Sequence, residues 1–274
     1  MTAVASDPRL DALDAVLRQI GPVVVAFSGG ADSALLAHAA HRVLGREGAR
    51  AVTAVSPSLP ADELDDCRAL AEGWGLRWEG VGTTELDDPR YAANDADRCY
   101  WCKTALLDVL EPLAEADGAT VVLGVNRDDL GDHRPGQQAA AERGARFPLL
   151  EAGLTKADVR ELSRTLGLRT AEKPAAACLA SRVPYGTPVT LGVLSTVEAA
   201  EQALRRLGFD ELRVRHHGDV ARLEVPVERL AEVVARREEV VASVLAAGYR
   251  YVALDLEGFR SGSLNRALGD LTAT

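Results

Sequence analysis

Short apolar runs alternate with amphipathic stretches through the first half of the chain. Val23 to Phe27 is unbroken apolar sequence, as in a strand buried on both faces. From Ala34 to Val43 the apolar residues recur at spacings of three and four, as in a helix with one covered face. The alternation continues with a strand at Ala51 to Val55, a helix at Ala61 to Glu72, a strand at Leu76 to Val81, a helix starting near Lys103 and a strand at Thr120 to Val125. Four buried strands separated by helices predict an α/β fold, a parallel sheet with helices on both faces.

The pattern changes from Thr155. A helix at Ala157 to Leu166 is followed by a loop from Lys173 to Thr187 punctuated by Pro and Gly, then a helix around Thr196 to Leu207. The tail reads strand at Glu211 to His216, turn at Gly218 and Asp219, strand at Ala221 to Val225, helix at Val227 to Leu245 and strand at Tyr249 to Leu254. With no internal repeat and no low-complexity linker, the expected division is a nucleotide-binding domain over 1–150 and a smaller C-terminal α+β domain over 151–274 that carries Cys178.

Composition narrows the class. The 274 residues are 47% hydrophobic and 26% charged, as in an ordinary globular protein. No apolar run approaches the roughly 20 residues of a membrane span, and MTAVASDPRLDALDAVL has neither the basic start nor the apolar stretch of a secretory signal. The expected location is the cytoplasm, away from membranes. Four cysteines in so long a chain are no disulfide scaffold, so in a reducing compartment their thiols are available to a metal or to catalysis. A formal net charge of −10 argues against nucleic acid as a partner, because that affinity comes from Lys and Arg at phosphates.

The sequence SGGADS, Ser28 to Ser33, follows the first strand and opens the first long helix. In that geometry backbone amides and the helix dipole converge on an anion. Gly29 and Gly30 let phosphate oxygens approach Ala31 and the backbone, Ser28 and Ser33 add hydroxyls, and Asp32 accepts from the turn or helps place Mg²⁺. The Gly-Lys-Ser/Thr ending of a Walker loop is absent. The hexapeptide resembles the SGGxDS pyrophosphate loop (PP-loop) of the ATP pyrophosphatase superfamily, which implies cleavage of ATP between its α and β phosphates and adenylation of an acceptor oxygen. The structural alternative is a glycine-rich turn that caps the helix and binds nothing.

Cys99 and Cys102 in DRCYWCK stand at the start of a helix, where the dipole favours thiolate. A redox pair, a zinc half-site and a cluster half-site all remain open. A zinc site would ordinarily take a fourth protein ligand, and His133, His216 and His217 are not in a recognisable ligand spacing. With Cys178 the three thiols suit a 4Fe-4S cluster with one iron left open, and the alternative is packing as small hydrophobes. Cys67, inside a helical run, reads as core.

GVNRDDLGDHRPG at 124–136, PLLEAGLTKADVRELSRTLGL at 148–168, the Cys178 loop through Pro188 and LDLEGFRSGSLN at 254–265 resemble the LarE family, sulfur transferases of nickel-pincer cofactor biosynthesis. With SGGADS the resemblance runs from near residue 22 almost to the C-terminus. It implies that ATP adenylates the carboxylates of pyridinium-3,5-biscarboxylic acid mononucleotide, a small-molecule substrate, and that sulfur then displaces AMP to leave thiocarboxylates. One kind of member has only the cysteine equivalent to Cys178 and sacrifices its sulfur, leaving dehydroalanine. The other adds the CxxC pair and carries a transferable sulfide on a 4Fe-4S cluster. This chain has the full set, which implies the second kind, with Cys99, Cys102 and Cys178 as ligands and Cys178 and Asp32 at the centre of the chemistry.

Such a substrate needs arginines in an acidic chain. Arg213 and Arg215 alternate along a strand and so share a face, and with Arg182 beside Cys178 they form a candidate clamp. Their alternative is pairing with Glu224 across the hairpin. Ser181 is a donor to substrate or a turn former. Glu201 and Glu224 match acidic positions tied by the resemblance to an oligomer or metal site, and a homo-oligomer is expected. Asp128 and Asp129 line a nucleotide pocket or cap the next helix. His216 and His217 read as surface residues. Two other functions fit parts of the pattern, tRNA thiolation, which the acidic balance disfavours, and a nucleotide-binding or zinc-stabilised module without turnover.

Overall fold

In the computed structural model, residues 7–131, 135–174 and 177–260 are described. The chain divides into two units, one formed by residues up to 85 with 99–176, the other by 86–98 with the chain from 177 onward.

The first unit is built on four strands, β1 (Val23–Ala26), β2 (Ala49–Val55), β3 (Arg77–Gly82) and β4 (Thr120–Leu123). They form a parallel sheet in the order β3-β2-β1-β4. Around it lie α1 (Pro8–Ile20), α2 (Ala31–Gly48), α3 (Ala61–Trp74), α5 (Arg98–Asp117), α6 (Pro135–Glu142), α7 (Pro148–Glu151) and α8 (Lys156–Thr165), while α4 (Pro89–Ala92) belongs to the second unit. Side chains of a strand point alternately to opposite faces. Val23 and Val25 accordingly join one core with Leu13 and Leu17 of α1, Leu35 of α2 and Leu70 of α3. Val24 joins the other with Leu106, Leu107 and Leu110 of α5. Both faces are covered, which is why the strands are continuous apolar runs.

Two boundaries differ from the sequence expectation. The helix expected near Lys103 starts at Arg98, so Cys99 and Cys102 fall within its first two turns. Residue 150 lies inside α7, and the segment after it stays with the first unit because Val159 and Leu162 of α8 pack into the core of α1 and α2.

The second unit holds α9 (Leu191–Arg206), α10 (Leu230–Ala235), α11 (Arg237–Ala246) and a three-stranded sheet of β5 (Arg213–His217), β6 (Val220–Glu224) and β7 (Tyr251–Leu254). β5 and β6 form an antiparallel hairpin turning at Gly218, and β7 runs parallel to β6. Val214, Ala221, Leu223, Leu204, Val240 and Val244 make its core. The single helix expected over Val227 to Leu245 is three pieces, broken at Arg236, whose guanidinium reaches back to the Leu207 carbonyl at 2.8 Å. No helix among the described residues is long and apolar enough to cross a membrane.

Candidate functional site

The loop Ser28-Gly29-Gly30 sits where strand order reverses, between β1 and its neighbours β2 and β4. In open parallel sheets that position forms a ligand crevice at the carboxyl ends of the strands. Phe27 N–H donates to the Val52 carbonyl at 2.8 Å, holding the loop's entry to the sheet. Gly29 has φ +67°, in the left-handed region that favours glycine, and a Cβ there would stand 2.9 Å from the Cys67 sulfur. On the other side of the reversal a Cβ at Gly124 would lie 2.8 Å from the Ser33 amide nitrogen. Two missing side chains thus bring the β4 exit, the loop and the start of α2 together. Gly30 caps α2 without a side-chain hydrogen bond, so the dipole's positive end faces the crevice. Ser33 Oγ accepts from Ser28 N–H at 3.2 Å, donates to the Gly30 carbonyl at 3.1 Å and lies 3.1 Å from Ser28 Oγ. The loop is pre-shaped, and its first helical N–H groups are in position to receive an anion.

Asp32 accepts from Asn126 Nδ2 at 3.0 Å and pairs with Lys156. Asp129 accepts from Asn126 N–H at 3.0 Å, and Asp128 accepts from Lys156 N–H at 2.8 Å, so both aspartates brace the wall of the crevice. A reciprocal capping box between Thr155 and Asp158 starts α8 and fixes Lys156 as its first residue. Lys173 Nζ, 3.6 Å from the position a Gly29 Cβ would take, is held by Glu63 and Asp66 at 2.7 Å each. Behind the loop, burial pushes the Cys67 thiol up to about 11, against the opposing pull of Thr53 and Lys173. Cys67 is core, as expected, and it supports Gly29.

In α5 Cys99 is exposed and Cys102 half-buried, three residues apart and so on one helix face. α6 braces this turn. A Cβ at Gly136 would lie 3.0 Å from the Cys99 carbonyl oxygen, and Tyr100 Oη donates to Glu142 at 2.6 Å. No disulfide joins any of the four cysteines. The pair supplies two soft donors suited to iron or zinc. Among the described residues no group of three Cys, His, Asp or Glu is arranged to hold a metal ion, and His133 lies outside them.

Cys178, half-buried, caps a one-turn 3₁₀ helix, Leu179–Arg182, in the second unit. Ser181 closes that turn with N–H and Oγ donating to the Cys178 carbonyl at 3.0 and 2.7 Å. Arg182 is only 2% exposed. Its Nη1 donates to the carbonyls of Ala177 and Cys178 at 2.6 and 3.0 Å, and its other two nitrogens clasp Glu201 at 2.9 and 3.0 Å. Arg215 bridges the Ser181 carbonyl at 2.9 Å and buried Glu224 at 2.8 Å. Both guanidinium groups therefore shape the Cys178 loop from below, and both glutamates are filled by arginine. Arg213 donates to the Leu212 carbonyl and lies 5.0 Å from the Phe259 ring centroid. Burial, reinforced by Arg182, lowers it to about 10. His216 meets the Tyr249 hydroxyl at 3.3 Å, and burial lowers the pKa of both His216 and His217.

Sequence reasoning passed over five residues of these networks. Asn126, Lys156 and Lys173 serve the crevice. Asn94, in the left-handed region at φ +61°, donates to the carbonyls of Pro184 and Thr187 at 2.8 Å each, and Arg98 donates to the Ala180 carbonyl at 2.9 Å. The two lysines had a legible signal, since the whole chain has only three.

The β3-β2-β1-β4 order with a glycine loop at the reversal defines a Rossmann-like α/β protein. No family model matches the sequence. Among curated proteins, the chain is 41% identical over 257 residues to a pyridinium-3,5-bisthiocarboxylic acid mononucleotide synthase of Lactiplantibacillus plantarum, covering 93% of each chain. It is 46% identical to the uncharacterized protein slr1717 of Synechocystis, over 96% of this chain and 98% of that one. It is 25% identical to the uncharacterized protein MJ0830 of Methanocaldococcus jannaschii, over 87% and 91%. The chain belongs to the family of that synthase, the LarE family.

Proposed function

We propose that this protein is an ATP-dependent sulfur insertase of nickel-pincer cofactor biosynthesis that converts pyridinium-3,5-biscarboxylic acid mononucleotide to its bisthiocarboxylic form. The observation that carries this reading is the 41% identity to the synthase, end to end. The glycine loop at the sheet's order reversal supports it, because that crevice suits a nucleotide's phosphates.

In this reading Ser28, Gly29, Gly30, Ala31 and Ser33 cradle the phosphates of ATP, and Asp32 places Mg²⁺. A substrate carboxylate oxygen attacks the α-phosphorus, pyrophosphate leaves, and an acyl adenylate forms. A sulfur nucleophile then adds to the acyl carbon and AMP departs, and the sequence repeats on the second carboxylate. Ser181 and Arg213 are the proposed contacts to the substrate's phosphate and carboxylates, whereas Arg182 and Arg215, expected from sequence to join that clamp, are buried on Glu201 and Glu224 and act by holding the Cys178 loop in shape.

Cys99, Cys102 and Cys178 are the proposed ligands of a 4Fe-4S cluster, which when bound supplies a transferable sulfide on its open iron. In a second reading Cys178 gives up its own sulfur and becomes dehydroalanine, and the observation that favours it is the seating of the half-buried Cys178 on a turn closed by Ser181 and braced by Arg182. An anaerobic assay separates the two. More than one thiocarboxylate per chain, with Cys178 intact by mass spectrometry, is expected for the cluster. At most one, with dehydroalanine at 178, refutes it in favour of the sacrificial route. Cys99→Ala and Cys102→Ala are expected to abolish iron binding yet leave substrate-dependent AMP formation measurable, and iron at wild-type stoichiometry in both refutes the ligand set.

A further inference from the structure

Glu85, in the first unit, is 4% exposed, and its Oε2 is buried without a hydrogen-bond partner among the described residues. A carboxyl oxygen taken out of water in that state costs stability, and such a group persists where something outside the fold completes it. Glu85 opens the 3₁₀ turn Glu85–Asp87 that follows β3. That places it at the carboxyl end of the parallel sheet, the same end as the glycine loop after β1, and two strand spacings across from β1, about 10 Å. The β2–β3 pair runs on past the end of β1, from Val52 opposite Ala26 to Val55 opposite Gly82, and Thr83 N–H adds one more bond to the Val55 carbonyl at 3.1 Å. It stands as a wall beside the loop, with Glu85 two residues beyond its last bond.

We propose that Glu85 selects the base of the bound nucleotide, its carboxyl accepting from the exocyclic amine of adenine and rejecting guanine. The proposal rests on the nucleotide reading of the crevice given above. With the phosphates on the glycine loop, the nucleoside has two ways to lie. Toward β4 the crevice is filled, by Asn126 and Lys156 on Asp32 and by Asp129 on the Asn126 amide, and a Cβ at Gly124 would already stand 2.8 Å from the Ser33 nitrogen. Toward β2 the exit is Ser56, Pro57 and Ser58, a tight turn of short side chains in which Ser58 N–H donates to Ser56 Oγ at 3.2 Å and Leu59 N–H to the Ser56 carbonyl at 3.0 Å. A nucleoside laid across that turn carries its base to the end of β3. Neither exit, 56–60 or 83–88, contains a Lys, Arg or His, so the donor that suits the Glu85 oxygen there is neutral. The 6-amino group of adenine is such a donor, whereas guanine presents a carbonyl oxygen at the same position, an acceptor set against an acceptor.

The experiment measures binding of α,β-methylene-ATP, its 2′-deoxy form and α,β-methylene-GTP, each with Mg²⁺, by calorimetry on the full chain and its Glu85→Gln and Glu85→Leu variants, with a melting curve for each protein. Wild type is expected to favour the adenine analogue over the guanine one by about 100-fold, since one gains a hydrogen bond and the other leaves two acceptors opposed. In Glu85→Gln, whose amide both donates and accepts, that preference is expected to fall below about 10-fold through a gain in guanine affinity, and in Glu85→Leu through a loss in adenine affinity. The melting midpoint of Glu85→Leu is expected to hold or rise, because a buried acceptor without a donor is removed. A lowered midpoint with the base preference intact assigns the carboxyl to the fold, a change confined to the 2′-deoxy comparison assigns it to the ribose, and a wild type that binds both bases alike leaves it nothing to select. Each of these overturns the proposal. Wild-type protein that binds none of the three overturns the nucleotide reading itself.

Discussion

Removing the Glu201 carboxylate tests how the Cys178 loop is held. Glu201 is 1% exposed and accepts from Arg182 twice, at 2.9 and 3.0 Å, from Val214 N–H at 3.0 Å and from Arg205 at 3.2 Å. In Glu201→Ala the Arg182 guanidinium remains buried without its counter-charge, a situation that costs about 3–5 kcal/mol. Against a total stability of about 5–15 kcal/mol this is a large fraction. At about 2–4 °C per kcal/mol the melting midpoint should fall by about 6–20 °C. Glu201→Gln keeps one acceptor oxygen and should fall by less. Urea unfolding followed by circular dichroism gives the energy directly, and a loss below about 1 kcal/mol for Glu201→Ala would refute the view that this pair anchors the loop.

The same pair fixes a pH dependence. Burial raises the Glu201 carboxyl, but Arg182, the Val214 amide and Arg205 outweigh it and hold it below the ordinary 4.5. A carboxyl depressed in the folded state contributes stability that is complete above its unfolded pKa and is lost as pH falls through the lower folded value. The stability gap between wild type and Glu201→Gln should therefore be widest at neutral pH and shrink below pH 4.5. A gap that stays constant down to acid pH removes the carboxylate from the account.

Two further outcomes are expected. Gly29→Ala should destabilise by about 1 kcal/mol from its left-handed backbone, with more from the 2.9 Å approach to Cys67, and pairing it with Cys67→Ala should recover the steric part. Strict additivity in that double-mutant cycle refutes the contact as the cause. At pH 8 a thiol reagent should modify exposed Cys99 well before Cys67, whose pKa near 11 leaves only about a thousandth as thiolate. Mass-spectrometric mapping that finds equal rates refutes the burial argument.

What the sequence determined by itself is local. Parallel strands covered on both faces are continuous apolar runs, so Val23 to Phe27 and Thr120 to Val125 were legible as strands. The turn from β1 into α2 was legible because its glycines sit between a strand run and a helix run. Cys67 read as core for the same reason. What the tertiary structure decided depends on the chain's path, which periodicity does not encode. The amphipathic pattern of α8 says that Val159 and Leu162 are covered, not that α1 and α2 cover them, and so the segment after 150 stays with the first unit. Arg182, Arg213 and Arg215 read as one cationic set, yet Arg182 and Arg215 are committed to Glu201 and Glu224 while Arg213 lies against Phe259. Lys156 beside Asp32 and Lys173 behind Gly29 are separated from their partners by more than a hundred residues. A charge carries no mark of its distant counter-charge, and only the folded chain brings the two within bonding distance.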